Sequence, residues 1–236
     1  MSERRVALVT GANRGLGYAL AAGLARPNMS IVVTARDSRD AHEAAARLRA
    51  QRPGVEVEAH QLDVTDPASV FRAFAETQRS FGRLDVLLSS AGIAIDRGRT
   101  PSVLDMEKVR ATLDTNLLGA WRCAAEAIPI MRKNNYGRIV HVSSRMGSLA
   151  NMTSSSPAYR VSKAALNALT RVLADEVAQD NILVNSASPG VAATRMNYGG
   201  KAVSPEEAAQ GMIWLATAPD DGPRGEFFEG RSVVPW

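Results

Sequence analysis

Cysteine occurs once in this chain, histidine three times, and lysine and tyrosine four times each. With Cys123 alone no internal disulfide can form, so a reducing compartment is the natural setting. Its surroundings, "LLGAWRCAAEAI", have helical spacing and suit a small buried residue better than a reactive thiol. His42, His60 and His141 are far apart, and with one thiol they make no metal-ligand pattern. No apolar run approaches the ~20 residues that span a bilayer. "MSERR" runs straight into "VALVT", a stretch too short for a signal-peptide core. The expectation is a soluble cytoplasmic protein with no membrane partner. Charge of one sign is also scarce in excess: 28 Lys and Arg against 24 Asp and Glu leave +4. The arginines are scattered over the polar faces of apparent helices, which is a solvated surface and not a nucleic-acid stripe.

What the sequence does contain is a regular alternation, and its 45% hydrophobic content is ample for a core. Short β-branched runs at 5–10, 30–35, 55–62, 84–90, 137–144, 182–188 and 226–236 read as strands. Several are apolar throughout, as strands covered on both faces must be. Between them, helical periodicity predicts helices at 16–26, 38–51, 67–81, 102–133, 157–179 and 205–217. Asp66-Pro67, Ser156-Pro157 and Ser204-Pro205 each offer an N-cap followed by proline at the first helical position. Strict βαβα alternation predicts an α/β fold: a doubly wound, Rossmann-like parallel sheet in a single domain spanning residues 1–236.

The first strand leads into "TGANRGLG", with Gly11, Gly15 and Gly17 spaced G-x-x-x-G-x-G. Glycines there permit a tight turn and close backbone approach, and the helix that follows offers free N–H groups to a pyrophosphate. "SIVVTARD" ends in Ala35 and Arg36, where a protein selecting NAD carries an acid for the ribose 2′-hydroxyl. Arg14 can reach the same corner, so two guanidinium groups could hold a 2′-phosphate, and NADP(H) is the expected cofactor. Asp37 could reach a ribose hydroxyl or cap the next helix. Asp63, in "HQLDVTD", could cap its own loop or bond an adenine amino group.

"SPAYRVSKAAL" places Tyr159 four residues before Lys163, on one helical face. A tyrosine in water titrates near 10, too high for ready proton exchange at neutral pH. A nearby ammonium favours the phenolate. Lysine serves better than arginine because its compact charge can also bond a ribose. Val161, Ala165, Ala168 and Val172 form a separate stripe that could pack on the sheet or on a partner.

Taken together, "TGANRGLG", "SSAG" (89–92), Asn116 in "TNLLGA", Ser144 in "VSSRMG", Tyr159-x-x-x-Lys163 and "PGVAAT" (189–194) resemble the short-chain dehydrogenase/reductase family. "TARD" and "LDVTD" look like its NADPH-dependent carbonyl reductases. The resemblance implies that Tyr159 is the general acid–base and that Lys163 lowers its pKa and binds the nicotinamide ribose. It implies that Ser144, three residues before Gly147, bonds the substrate carbonyl, and that Asn116 holds a water linking Lys163 to solvent. Cofactor contacts implied are Gly11, Arg14, Gly15, Leu16, Gly17, Arg36, Ala91 and Gly92, with Asp63 and Val64 flanking the adenine. The backbone near Pro189, Gly190 and Val191, with Thr194, would orient the carboxamide. The family's usual "NNAG" is "SSAG" here, so Ser89 and Ser90 bridge less of the sheet.

The function expected is interconversion of a small-molecule carbonyl and a secondary alcohol; an epimerase or dehydratase of the superfamily and a non-catalytic NADPH sensor are the alternatives. Ile93, Arg145, Met146, Met152, Met196 and Tyr198 are expected to line the pocket. Arg145 would meet an anionic group or face solvent. The fourteen residues between Pro189 and Ser204, with Gly199 and Gly200 as hinges, are expected to form a short mobile cover. Monomeric carbonyl reductases of the family carry a long insertion before the tyrosine, and only fourteen residues separate Ser144 from Tyr159. A homodimer or homotetramer is therefore expected.

Overall fold

The computed structural model describes residues 4–103, 105–194, 196 and 202–236. The chain runs β1 (Arg5–Val9), α1 (Gly15–Leu24), β2 (Met29–Ala35), α2 (Ser38–Gln51), β3 (Val57–Gln61) and α3 (Pro67–Phe81). It continues through β4 (Val86–Ser89), α4 (Met106–Leu113), α5 (Gly119–Lys133), β5 (Gly137–Val142), α6 (Pro157–Glu176) and β6 (Ile182–Ser188). It ends with α7 (Pro205–Ala216), β7 (Phe227–Glu229) and β8 (Ser232–Val233).

The strands form one sheet in the order β3-β2-β1-β4-β5-β6-β7-β8, parallel from β3 to β7. The period-two alternation of each strand divides its side chains between two apolar layers. In β1, Ala7 and Val9 pack under α1, α2 and α7, while Val6 and Leu8 pack under α3, α5 and α6. Covering on both faces explains why the strands read as unbroken apolar runs.

Two of the expected caps form. Asp66 Oδ1 accepts from Ala68 N at 2.9 Å ahead of Pro67, and Ser204 Oγ accepts from Glu207 N at 3.1 Å ahead of Pro205. Two boundaries differ. The helix expected over 102–133 begins at Met106 behind an Asp105 cap and is broken by a π-helical turn, Asp114–Leu118. The turn's sequence, DTNLL, holds no proline or glycine to mark a break in the helix. The terminal strand expected over 226–236 is two short strands, the second turning back antiparallel after Gly230 and Arg231.

Cys123 lies fully buried on the inner face of α5, and burial pushes its thiol up to about 12. No helix among the described residues is long and apolar enough to cross a membrane.

Candidate active site

The chain order reverses between β1 and β4: β1 is followed outward by β2 and β3, and the chain then returns to lay β4 on the other side of β1. Loops diverging from such a point leave a crevice at the carboxyl ends of the strands. Here it is a cavity of about 1340 Å³. Its two banks are joined by Thr10, whose Oγ1 accepts from Ser90 N and Ala91 N, each at 2.9 Å. Gly11 is required at this contact. Its φ is +64°, and a Cβ there would stand 3.1 Å from Ala91 Cα.

All the residues expected to meet the cofactor lie on the wall of this one cavity, from Gly11 and Arg14 through Arg36, Asp63 and Ala91 to Thr194. The first turn of α1 has no side-chain cap, so its backbone donors remain available. Arg14 and Arg36 are both exposed, and neither guanidinium has a hydrogen-bond or ion-pair partner among the described residues. Asp37 instead caps α2, accepting from Arg39 N at 2.8 Å. Asp63 turns one oxygen into its own loop, where Oδ1 accepts from Thr65 N at 2.9 Å and Thr65 Oγ1 at 2.7 Å. An anionic group fits this end of the crevice: open glycine turn, free helix donors and two unpaired guanidinium groups.

The other end is built by β5, the loop after it, and α6. Ser144 opens a tight 3₁₀ turn (Arg145–Gly147) and remains half-buried on the cavity wall, while Ser143 is fully buried and donates to Asn167 Oδ1 at 2.7 Å. Gly147 lets that turn lie directly against α6, since a Cβ there would fall 2.6 Å from Lys163 Cβ. Tyr159 and Lys163 follow one turn apart, with Lys163 Nζ 5.7 Å from the tyrosine ring centre. Lys163 Nζ donates to Val142 O at 2.7 Å, and burial brings its pKa down to about 8.

Asn116 sits in the π-helical turn, buried and off the cavity wall. Its amide bonds both ways to the Ile93 backbone, at 2.8 and 2.9 Å, and donates to Ser162 Oγ at 3.0 Å. The side chain therefore ties the loop after β4 to α6.

The short chain dehydrogenase family profile matches residues 5–202. The chain is a short-chain dehydrogenase. It is 32% identical to carbonyl reductase [NADPH] 1 of Rattus norvegicus, with 100% of this chain and 99% of that protein covered. Among solved structures it resembles L-sorbose reductase from Gluconobacter frateurii complexed with NADPH and L-sorbose, with a TM-score of 0.85. The identity is 30% over 97% of this chain and 96% of that one. An alcohol dehydrogenase from Thermococcus sibiricus complexed with 5-hydroxy-NADP gives a TM-score of 0.84 at 27% identity, covering 97% of both chains.

Within this short-chain dehydrogenase, Ile93, Arg145, Met146 and Met196 line the cavity, Met152 does not, and Tyr198 lies outside the described residues. So do Gly199 and Gly200. The base of that segment is pinned by Ala193 N and Val203 N, donating to Val203 O and Val191 O at 2.9 Å each.

Ser156 does not cap α6 with its side chain. Its backbone is left-handed (φ +52°), and the cap comes from Asp96, sixty residues earlier in the chain. Asp96 Oδ2 accepts from Ala158 N at 2.7 Å and from Tyr159 N at 3.3 Å. The local signal was an acid just beyond "SSAGIAI", but nothing in the sequence states which helix it caps.

Two outcomes follow from this geometry. The unfolded chain holds the Lys163 proton to near 10.5 and the folded chain only to about 8. Folding therefore releases a proton between those values, so stability rises with pH across that window; below about pH 8 the burial penalty is present in full. Lys163→Met should raise the Tm of the ligand-free protein at pH 7 by about 5 °C and remove that rise. An unchanged or lower Tm would contradict it.

The second outcome concerns the remote cap. Asp96→Ala should lower kcat about tenfold or more with little change in cofactor KM, and Asp96→Asn, which keeps an acceptor oxygen, should recover most of the loss. Wild-type kcat in the alanine variant would show that Tyr159 is positioned without Asp96.

Proposed function

We propose that this single domain, residues 1–236, is a cytoplasmic NADPH-dependent carbonyl reductase. The carrying observation is convergence: Ser144, Tyr159 and Lys163 stand on the same cavity wall as the glycine turn and its two unpaired arginines. When bound, the nicotinamide supplies the hydride. Tyr159 gives its phenolic proton to the carbonyl oxygen as the C=O π bond opens and the carbon takes the hydride's electron pair. Ser144 donates to the same oxygen, so two hydroxyls stabilise the charge that develops there. Lys163 keeps an ammonium beside the phenol, favouring the deprotonated state that Tyr159 reaches after transfer. A water held at Asn116 would return the proton from solvent through Lys163.

NADPH binding in the rat reductase, in the sorbose reductase and, as 5-hydroxy-NADP, in the archaeal alcohol dehydrogenase supports the same choice here. Arg14 and Arg36 are the groups that would hold the 2′-phosphate, and Asp37 is committed to α2.

The functional unit is a homodimer or homotetramer. The stripe Val161, Ala165, Ala168 and Val172 does not pack on the sheet: Val161 and Val172 are 54% and 62% exposed. On α5, Trp121, Ala125 and Pro129 likewise face outward, with Leu118 just before it. Two adjacent helices with apolar outer stripes suit pairing across a two-fold. A monomeric mass by light scattering at micromolar concentration would overturn this assembly.

The reaction is tested with a panel of ketones, aldehydes and quinones, following NADPH absorbance. Tyr159→Phe should abolish turnover while NADPH binding stays nearly intact; a variant keeping a tenth of wild-type kcat would remove Tyr159 from the proton-donor role. Cofactor choice is read separately. Arg36→Ala should weaken NADPH about tenfold or more beyond any effect on NADH, the loss of one charge-assisted contact. Comparable kcat/KM for the two cofactors in the unaltered protein would show that the arginines do not read the phosphate.

A further inference from the structure

Arg145 follows Ser144 directly and lines the cavity, where sequence offered it an anionic substrate group or solvent. Its side chain is largely solvent-exposed, and it also has a protein partner. Its Nε lies 3.0 Å from Glu229 Oε1, although the arginine side chain is 61% exposed and the glutamate only 27%. Glu229, at the end of β7, also lines the cavity, and its second oxygen is engaged as well: Oε2 accepts from Ser188 Oγ at 2.9 Å. Ser188 Oγ in turn accepts from Arg145 N at 3.3 Å and Gly190 N at 3.1 Å. The carboxylate is thus fixed from both sides. It joins the loop that carries Ser144 to the loop that begins at Pro189.

We infer that Glu229 is a specificity-determining residue that masks Arg145 and restricts the substrate to uncharged carbonyl compounds. The inference rests on the carbonyl reductase reading and narrows it. A carboxylate on the substrate beside the reacting carbonyl would have to displace Glu229 from Arg145, or share the one guanidinium with it. A neutral ester or ketone meets a charge-balanced ion pair and the apolar Ile93, Met146 and Met196. The selectivity is built by masking the one cation that could receive a carboxylate, and Ser188 holds the mask in place.

The test compares ethyl 2-oxo-2-phenylacetate with 2-oxo-2-phenylacetate, one skeleton with and without the charge, under NADPH. The unaltered protein should favour the ester by about a hundredfold in kcat/KM. Glu229→Gln keeps an acceptor for Ser188 and releases Arg145, so the ester-to-acid ratio should fall about tenfold or more. Adding Arg145→Met to Glu229→Gln should restore the ratio toward the starting value, because the freed guanidinium is then gone. A ratio near one in the unaltered protein, an unmoved ratio in Glu229→Gln, or a shift that survives Arg145→Met would each overturn the inference while leaving carbonyl reduction standing. Absence of turnover with the ester and with every other carbonyl in the panel would overturn the reductase reading and this inference with it.

Discussion

Lys163 reaches back from α6 to the carbonyl oxygen of Val142 on β5, and most of the candidate site's geometry depends on that 2.7 Å contact. An ammonium taken out of water needs an acceptor within reach, and a lysine stem fixes how far the helix axis can stand from the strand. The helix can come that close because Gly147 has no side chain where the turn after β5 crosses it. The same contact brings Ser144 alongside, since it opens that turn. Tyr159 lies one helical turn before the lysine and is carried to the wall with it. Asp96 then holds the N-terminal end of the helix from the loop after β4. The three groups of the site are therefore positions on one tightly packed crossing, not independent placements.

The cofactor end obeys a different constraint. There the polar groups are exposed and short of partners: free N–H donors at the start of α1, and Arg14 and Arg36 with open guanidinium groups. The contact of Gly11 with Ala91 and the two bonds to Thr10 hold the banks of the crevice together without filling it. The more buried end that holds Lys163 and the open end that holds Arg14 and Arg36 are joined by the loop after β4. Asn116 fastens that loop at Ile93 and Asp96 fastens it at α6.

Much of this was legible from residue order. The seven parallel strands, the glycine turn and the Tyr159–Lys163 face follow from periodicities of two and 3.6 and from residues four apart, all local properties. Ser144 and Ser143 have different surroundings, one on the cavity wall with its hydroxyl accepting from Met146 N, the other sealed against Asn167. What was not legible is long-range pairing of ordinary residues. Asp96 looks like any loop acid until α6 is folded against it. Ser156 has the residue type of a cap but a left-handed backbone that turns it away. Glu229 becomes part of the site only because β7 adds to the sheet edge beside β6, bringing residue 229 against residues 145 and 188. The π-helical turn that carries Asn116 is hidden for a third reason, that Asp114–Leu118 holds no proline or glycine to mark a break.

The serines of "SSAG" show what this arrangement costs. Ser89, His141 and Ser186 are level with one another on β4, β5 and β6, so they point to the same face of the sheet, toward α6. Ser89 Oγ, His141 Nε2 and Ser186 Oγ are all buried without a protein partner, as is Asn167 Nδ2 from the helix above. His141 spends its other nitrogen on Thr170 at 2.9 Å, and burial beside Lys163 lowers its pKa to about 3, so it stays neutral. A protonated His141 would place a second buried cation next to the ammonium, which the geometry of α6 cannot separate. A longer amide at 89 could reach across this row, whereas serine leaves its neighbours' polar atoms unclaimed, at about 1–3 kcal/mol for each atom left unsatisfied. The two apolar layers above and below the sheet offset that penalty. The polar row is thus tolerated under Lys163 because the apolar layers around it outweigh a few unclaimed atoms.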